Sequence, residues 1–193
     1  MQKIGFLAFD QMDELDFVGP LEVFGMASRF GADCQTLIVA KELKHVRCRH
    51  DLNVLPRHTF SNCPELHMLI VPGGLGARKH ARENPRILDF IRRQTGTVAS
   101  VCTGALIIAA AGMLKGLPAT THHSSYELLR QYDGVQVREG VRFVLNIGVA
   151  TSAGVSAGID LALALTAQTW GPSVAEAVAA NLEWQSSAWK DTG

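Results

Sequence analysis

Neither sign of charge prevails in this chain: 18 basic and 18 acidic residues cancel to a formal net charge of zero, with no long block of either. That balance leaves no electrostatic footprint for nucleic acid or for an anionic membrane surface. No apolar run approaches the roughly 20 residues that cross a bilayer. The opening MQKIGFLAFD lacks the charged, apolar and cleavage-site segments of a signal peptide, so a cytoplasmic location with no membrane partner is expected. Cysteine is scarce. The four present, Cys34, Cys48, Cys63 and Cys102, are too few for a disulfide scaffold and should be free thiols in a reducing compartment. Repeats, linkers and low-complexity tracts are missing as well. No Gly-Lys-Ser/Thr occurs, which excludes a P-loop, and the glycines at 154 and 158 do not make a dinucleotide fingerprint.

What is present suffices for one core: 193 residues with 47% hydrophobic content predict a single domain over 1–193. Ile4 to Phe9 is a continuous apolar run, the pattern of a strand covered on both faces in a parallel sheet. Asp10 to Gly19 reads as an acidic loop, after which Gly19-Pro20 opens a helix, with the proline near its first turn, that Gly31 stops. Gln35 to Ala40 is a second strand, Leu43 to Leu55 a small peripheral hairpin, and Leu66 to Val71 a core strand ending in Pro72-Gly73-Gly74. Asn84 before Pro85 caps a helix whose Ile87, Leu88 and Ile91 face inward.

Further along, Ala119 to Thr121 forms a short strand that delivers His122 and His123 to its end. Ser124 with Glu127, and Ser173 with Glu176, have the spacing of capping boxes for two helices, the second ending near Trp184. Strands are expected over 135–137, 141–145 and 148–151, and the turn Ser152-Ala153-Gly154 leads into a helix over 156–169. The alternation of elements predicts an α/β fold, a doubly wound, mostly parallel sheet sandwiched by helices, with ligand sites at the carboxyl ends of the strands. Three loops should meet there: 10–19, 72–76 and the turn at Cys102.

That last turn organises the rest. Thr97 to Val101 reads as a buried strand, Ala105 to Ala111 as a run of helix formers, and Cys102 stands at the hinge with small residues, Ser100 and Gly104, two positions to either side. This is the spacing a sharp strand-to-helix turn needs around a strained nucleophile. A helix N-terminus supplies unpaired N–H groups and a positive dipole end, so the position is expected to lower the thiol pKa. The plainer reading is a buried, inert cysteine.

The blocks ELDFVGP (14–20), IVPGGLG (70–76), SVCTGALIIAAAGML (100–114), ATTHH (119–123) and SAGVSAGIDLAL (152–163) together resemble the ThiJ/PfpI-like superfamily, of the class I glutamine-amidotransferase-like fold, over nearly the whole chain. Within it the likeness is greatest to bacterial isonitrile hydratases and to the amidotransferase-like domains of AraC-type regulators. The resemblance implies that Cys102 is the elbow nucleophile, that Asp16 is the acidic residue facing it, that the Thr103 hydroxyl helps to hold it, and that the backbone at Gly154 approaches the substrate. It also implies a homodimer. Two positions depart from the pattern. Thr103 stands where the superfamily's peptidases carry histidine, which argues against a Cys-His protease dyad, and His123 replaces the tryptophan that usually follows ATTH.

On chemistry alone, a carboxyl beside a thiol tends to share one proton with it, so Asp16 and Cys102 form a pair able to attack and to protonate; Asp16 could also serve only as a helix cap. The Gly73-Gly74 N–H groups could face a developing negative charge, or the glycines could simply allow a tight turn. His122 could hydrogen-bond near the elbow or be structural. The metal-capable side chains His45, Cys48, His50, His58, Cys63 and His67 match no zinc spacing, so no metal and no cofactor are expected. The leading function is an isonitrile-hydrating cysteine enzyme acting on a small molecule. The alternatives are a small-molecule sensor, for which the nine residues after Trp184 leave no room for a helix-turn-helix reader, and a redox sensor acting through Cys102.

Overall fold

The computed structural model describes residues 1–191. Thr192 and Gly193, included in the single-domain expectation, lie outside the described residues. In chain order the strands are β1 (Gln2–Ala8), β2 (Cys34–Ala40), β3 (Val46–Arg47), β4 (Asn53–Val54), β5 (His58–Thr59), β6 (Met68–Val71), β7 (Thr97–Val101), β8 (Pro118–Ala119), β9 (Gln136–Val137), β10 (Phe143–Asn146) and β11 (Val149–Ser152). The helices are α1 (Glu14–Ala27), α2 (Leu75–Lys79), α3 (Pro85–Arg92), α4 (Gly104–Ala110), α5 (Tyr126–Arg130), α6 (Ala157–Trp170) and α7 (Pro172–Asn181).

A seven-stranded sheet in the order β10-β11-β7-β6-β1-β2-β5 divides the helical layers. Every neighbouring pair in it is parallel except the β10–β11 hairpin at one edge. The expected doubly wound sheet is therefore the observed one, and the fully buried apolar run of β6 with the buried residues 98–101 of β7 marks its centre. β3 and β4 form the small antiparallel hairpin anticipated between 43 and 55. Because β1, β6 and β7 are adjacent, the segments that leave their carboxyl ends, at Gln11–Asp13, Pro72–Gly74 and Cys102, are brought to one place.

Packing fixes α1, the element that carries Asp16. Phe17 and Phe24 meet Phe6 of β1 edge-to-face, with ring centroids 5.8 and 6.2 Å apart. Each such buried ring contributes roughly 2–3 kcal/mol. The buried residues Asp16, Phe17, Pro20, Val23, Phe24 and Ala27 follow helical spacing from the first turn onward. The helix thus begins at Glu14, after Asp13 with an extended backbone, and not at Gly19-Pro20. Acidic Glu14 and Asp16 in the first turn suit the positive dipole end, and Pro20 is accommodated inside the helix, where it has no N–H to give the Asp16 carbonyl.

Several local expectations are also corrected. The strand at 119–121 is only the pair Pro118–Ala119, joined to β9 in a separate two-stranded sheet, and His122 follows it as the cap of a single 3₁₀ turn, accepting from the Ser124 N–H. The Ser124 hydroxyl is engaged with the His122 ring, so the capping box with Glu127 does not form and α5 starts later, at Tyr126. Ser173 caps nothing either, because Pro172 at the first position starts α7 after Gly171, and the helix ends at Asn181. The cap at Asn84 is present, its side chain accepting from Arg86 N–H at 3.1 Å.

Candidate functional site

The elbow is real and strained in the way its spacing requires. Cys102 has φ 57°, the left-handed region that costs a residue with a side chain of order 1–3 kcal/mol, and it stands between β7 and α4. Three contacts hold it there. Its N–H is shared between the carbonyls of Ser152 and Ala153, each at 3.2 Å, and its own carbonyl accepts from the Thr121 hydroxyl at 2.8 Å. Gly104 is needed because a Cβ there would sit 2.2 Å from the Val71 carbonyl oxygen, which is how α4 can pack directly against the end of β6.

Asp16, Thr103, Gly73 and Gly74 converge on this cysteine. Asp16 is wholly buried, with Oδ2 accepting from Gly73 N–H at 3.1 Å. Its other oxygen, Oδ1, completes no hydrogen bond among the described residues. The Thr103 hydroxyl accepts from Gly74 N–H at 2.9 Å and donates back to the Gly74 carbonyl at 3.2 Å. Both glycine N–H groups are thus committed to Asp16 and Thr103, so the reading that they wait for an anion is replaced by one in which they pin the site's side chains. Glycine is required by crowding: a Cβ on Gly73 would lie 2.5 Å from Thr103 N and 2.8 Å from Asp16 Oδ2. Gly154 lies against His122, with a Cβ position 2.1 Å from His122 Cδ2, and the His122 and His123 rings lie 4.2 Å apart, tilted by 33°.

The electrostatics reverse one expectation. Burial, and then the Asp16 charge, push the Cys102 thiol up to about 12, although the Thr103 N–H and hydroxyl favour the thiolate. At 5% exposure the cost of taking a thiolate out of water outweighs the helix dipole, and the lowered pKa anticipated from the N-terminal position is not found. Asp16 moves too. Burial and the neighbouring Asp13 charge raise its carboxyl from 3.8 to about 7, against the opposing pull of Cys102 and of the N–H groups of Gly73 and Val155. The pair therefore gives up a first proton near neutrality and holds a second into strongly alkaline solution, so that over a wide range it carries one proton and one negative charge. One arrangement of that state is a thiolate facing a carboxylic acid.

Residues 2–168 match the DJ-1/PfpI family. The chain belongs to that family. It is 38% identical over 194 residues to the isonitrile hydratase of Pseudomonas putida, covering 99% of this chain and 82% of that protein. A ThiJ/PfpI family protein from Pseudomonas syringae superposes with a TM-score of 0.87 at 32% identity, covering 96% of this chain and 76% of the other. More distantly, the HTH-type transcriptional regulator GbdR of Pseudomonas aeruginosa is 24% identical over 92% of this chain, which spans 49% of the regulator.

Not all of this DJ-1/PfpI site was foreseen. Asp160, fully buried in the first turn of α6, accepts from Arg142 Nε at 2.8 Å and through a second Arg142 nitrogen, and from Trp184 Nε1 at 2.8 Å. The Arg142 carbonyl in turn accepts from Ala153 N–H, so this cluster braces the loop whose carbonyls hold Cys102. The signal was available: a lone carboxylate in the apolar run AGIDLALAL cannot stay buried without partners. Among the described residues, His50 is the one of the scattered metal-capable side chains that enters a cluster, where its backbone N–H and Nδ1 engage Glu14 at 2.5 and 2.7 Å and Asp13 lies alongside.

Proposed function

We propose that this chain is a cofactor-free cysteine enzyme of the isonitrile hydratase type, a single unit over 1–193 that works as a cytoplasmic homodimer and converts a small isonitrile to an N-substituted formamide. The observation that carries the reading is the buried Asp16 carboxyl, raised to about 7 beside the elbow cysteine. Support comes also from the 38% identity with an isonitrile hydratase. For the dimer, the support is the exposed pair Leu15 and Val18, one turn apart on the outer face of α1, the helix that carries Asp16.

The chemistry follows from the shared proton. The Cys102 thiolate attacks the terminal carbon of the isonitrile, forming the S–C bond, while the Asp16 carboxyl delivers its proton to the same carbon, leaving a thioimidate and a carboxylate. Water then adds to that carbon, its hydroxyl remaining there and its proton passing by way of Asp16 to nitrogen. Collapse expels the Cys102 thiolate, the hydroxyl proton returns to Asp16, and the formamide leaves with the pair as it began. Thr103, held by its two bonds to Gly74, offers its backbone N–H to the sulfur, and His122 with Gly154 forms part of the wall.

Turnover of an isonitrile to its formamide, followed by chromatography, tests this. Cys102→Ala should abolish it, and Asp16→Asn should lower it by about 10²–10⁴, the contribution of a positioned acid. Full activity in Cys102→Ala would end the mechanism, and full activity in Asp16→Asn would end the acid's role in it.

The likeness to GbdR favours a second reading, a ligand-sensing domain related to such regulators, in which binding occurs without turnover. The absence of product with every isonitrile offered, together with saturable binding of one of them, would select it. A redox sensor gains no such support, since Cys102 is only 5% exposed and oxidation needs an accessible thiol.

A further inference from the structure

Away from the elbow, three arginines line one depression in the surface. A cavity of about 570 Å³ is bounded by Phe60 and Ser61, which follow β5, and by Arg86, Asp89, Arg92 and Arg93 of α3 and its C-terminal end. It shares no residue with the site at Cys102. One wall is aromatic, because Phe60 stacks on Phe90 of α3 with ring centroids 4.5 Å apart and planes within 14°. The turn that carries Phe60 is fixed from within, the N–H groups of Asn62 and Cys63 donating back to the Thr59 carbonyl at 3.3 and 2.9 Å.

The charges around this cavity do not balance. Three guanidinium groups meet a single carboxylate, and Asp89 is already held by Arg92 at 2.9 Å. Arg92 is taken up as well: its Nε and a terminal nitrogen donate to the carbonyls of Ala111 and Ala110 at 3.2 and 3.4 Å, closing the C-terminal end of α4. Arg93 is steered without being satisfied. Its Nε donates to the Asp89 carbonyl at 3.2 Å, while its two terminal nitrogens, like the whole Arg86 guanidinium, enter no ion pair and no hydrogen bond among the described residues. Glu42, whose carboxyl also feels the Arg86 charge, is itself held by Lys44 at 2.8 Å and by Lys41 at 3.8 Å. Arg86 and Arg93 stand two turns apart on one face of the helix, about 10 Å along its axis, a span that two arginine side chains can close from either end.

A guanidinium presents a planar fork that pairs with two oxygens of a phosphate, and a phosphate monoester carries close to two negative charges at neutral pH. That charge matches the surplus of two in the cavity. The volume is that of a small-molecule site and exceeds what a phosphate group alone fills, which leaves room for an organic body against Phe60. We propose that the cavity binds a small organic phosphate monoester, with Arg86 and Arg93 on the phosphate and Phe60 against the body of the molecule. The site is independent of the hydratase reading, since no residue of the elbow enters it.

Calorimetric titration of the full chain with phenyl phosphate tests the site. Binding should saturate with a Kd of roughly 0.1–1 mM and be about fivefold tighter than that of inorganic phosphate. Arg86→Gln and Arg93→Gln should each weaken it about tenfold, the worth of one charge-assisted contact, with Arg93→Lys between Arg93→Gln and the natural protein. Arg138→Gln removes an exposed charge beside a different cavity and should change the affinity less than about twofold. In NMR spectra of the natural protein, the Phe60 ring signals should move with phenyl phosphate and saturate at the same concentration, a readout that needs no variant to fold. No saturable binding below about 10 mM, or Phe60 signals that stay still, would overturn the proposal. So would equal affinities in the natural protein, Arg86→Gln and Arg93→Gln, or a loss in Arg138→Gln as large as theirs, which would mark a response to net charge alone. Inorganic phosphate bound as tightly as phenyl phosphate would overturn the organic half of the ligand.

Discussion

Replacing Asp16 by asparagine should make the protein more tolerant of alkaline solution. The carboxyl titrates at 3.8 when solvated and at about 7 in the fold, so the native state holds its proton more tightly throughout that interval. A group whose folded pKa is raised contributes stability that is complete below the unfolded pKa and is lost as pH climbs through the folded one. Each pH unit of the interval is worth about 1.4 kcal/mol, which sets an upper limit of roughly 4 kcal/mol for the whole loss and roughly 2–3 kcal/mol between pH 5 and pH 8. Asparagine keeps the acceptor for Gly73 N–H and removes the titration. Its buried amide costs about 1–3 kcal/mol if unpaired, but that cost does not vary with pH and cancels in the comparison. Contributions common to the two proteins cancel too. Urea unfolding at pH 5 and pH 8 measures the effect: the natural protein should lose about 2–3 kcal/mol more than Asp16→Asn over that span. An identical loss in the two proteins would refute the raised carboxyl and with it the proton-sharing pair.

Two further outcomes follow from the geometry. Gly73→Ala places a methyl group 2.5 Å from Thr103 N and 2.8 Å from Asp16 Oδ2. It should therefore cost about 1–3 kcal/mol and reduce isonitrile turnover at least about a hundredfold, and a variant with native melting and native turnover would show that the glycine is dispensable. Asp160→Asn removes the charge partner of Arg142, which is 41% exposed, so the penalty in a urea titration should be about 2 kcal/mol, below that of a fully buried pair; no change in midpoint would show that the cluster braces nothing.

The elbow could be read from the sequence because its requirements are local: a β-branched run, small residues two positions either side of the cysteine, then helix formers. The same holds for Asn84-Pro85. What could not be read depends on atoms far away in sequence. Gly19-Pro20 looks like a helix start, yet Phe17 and Phe24 packing on Phe6 carry the helix back to Glu14 and bury Asp16 inside it. The Ser124 and Ser173 boxes have suitable spacing, and each loses to a competitor, the His122 ring for one and Pro172 for the other. The direction of the Cys102 shift was out of reach for the same reason, since the dipole is a property of the turn whereas burial and the Asp16 charge are properties of the whole fold.

The site is stitched together by contacts that are distant along the chain: Asp16 to Gly73 across 57 residues, Gly74 to Thr103 across 29, and Cys102 to Ser152 across the β7–β11 pairing. Closing loops of that size is entropically expensive until the strands between them are docked. A fragment that lacks any part of the span from Asp16 to Ser152 loses one of these contacts, and an Asp16 left hydrated by that loss is an ordinary carboxylate at neutral pH. The raised carboxyl therefore exists only where β1, β6, β7 and α1 are docked together, and chemical competence is a cooperative property of the whole fold.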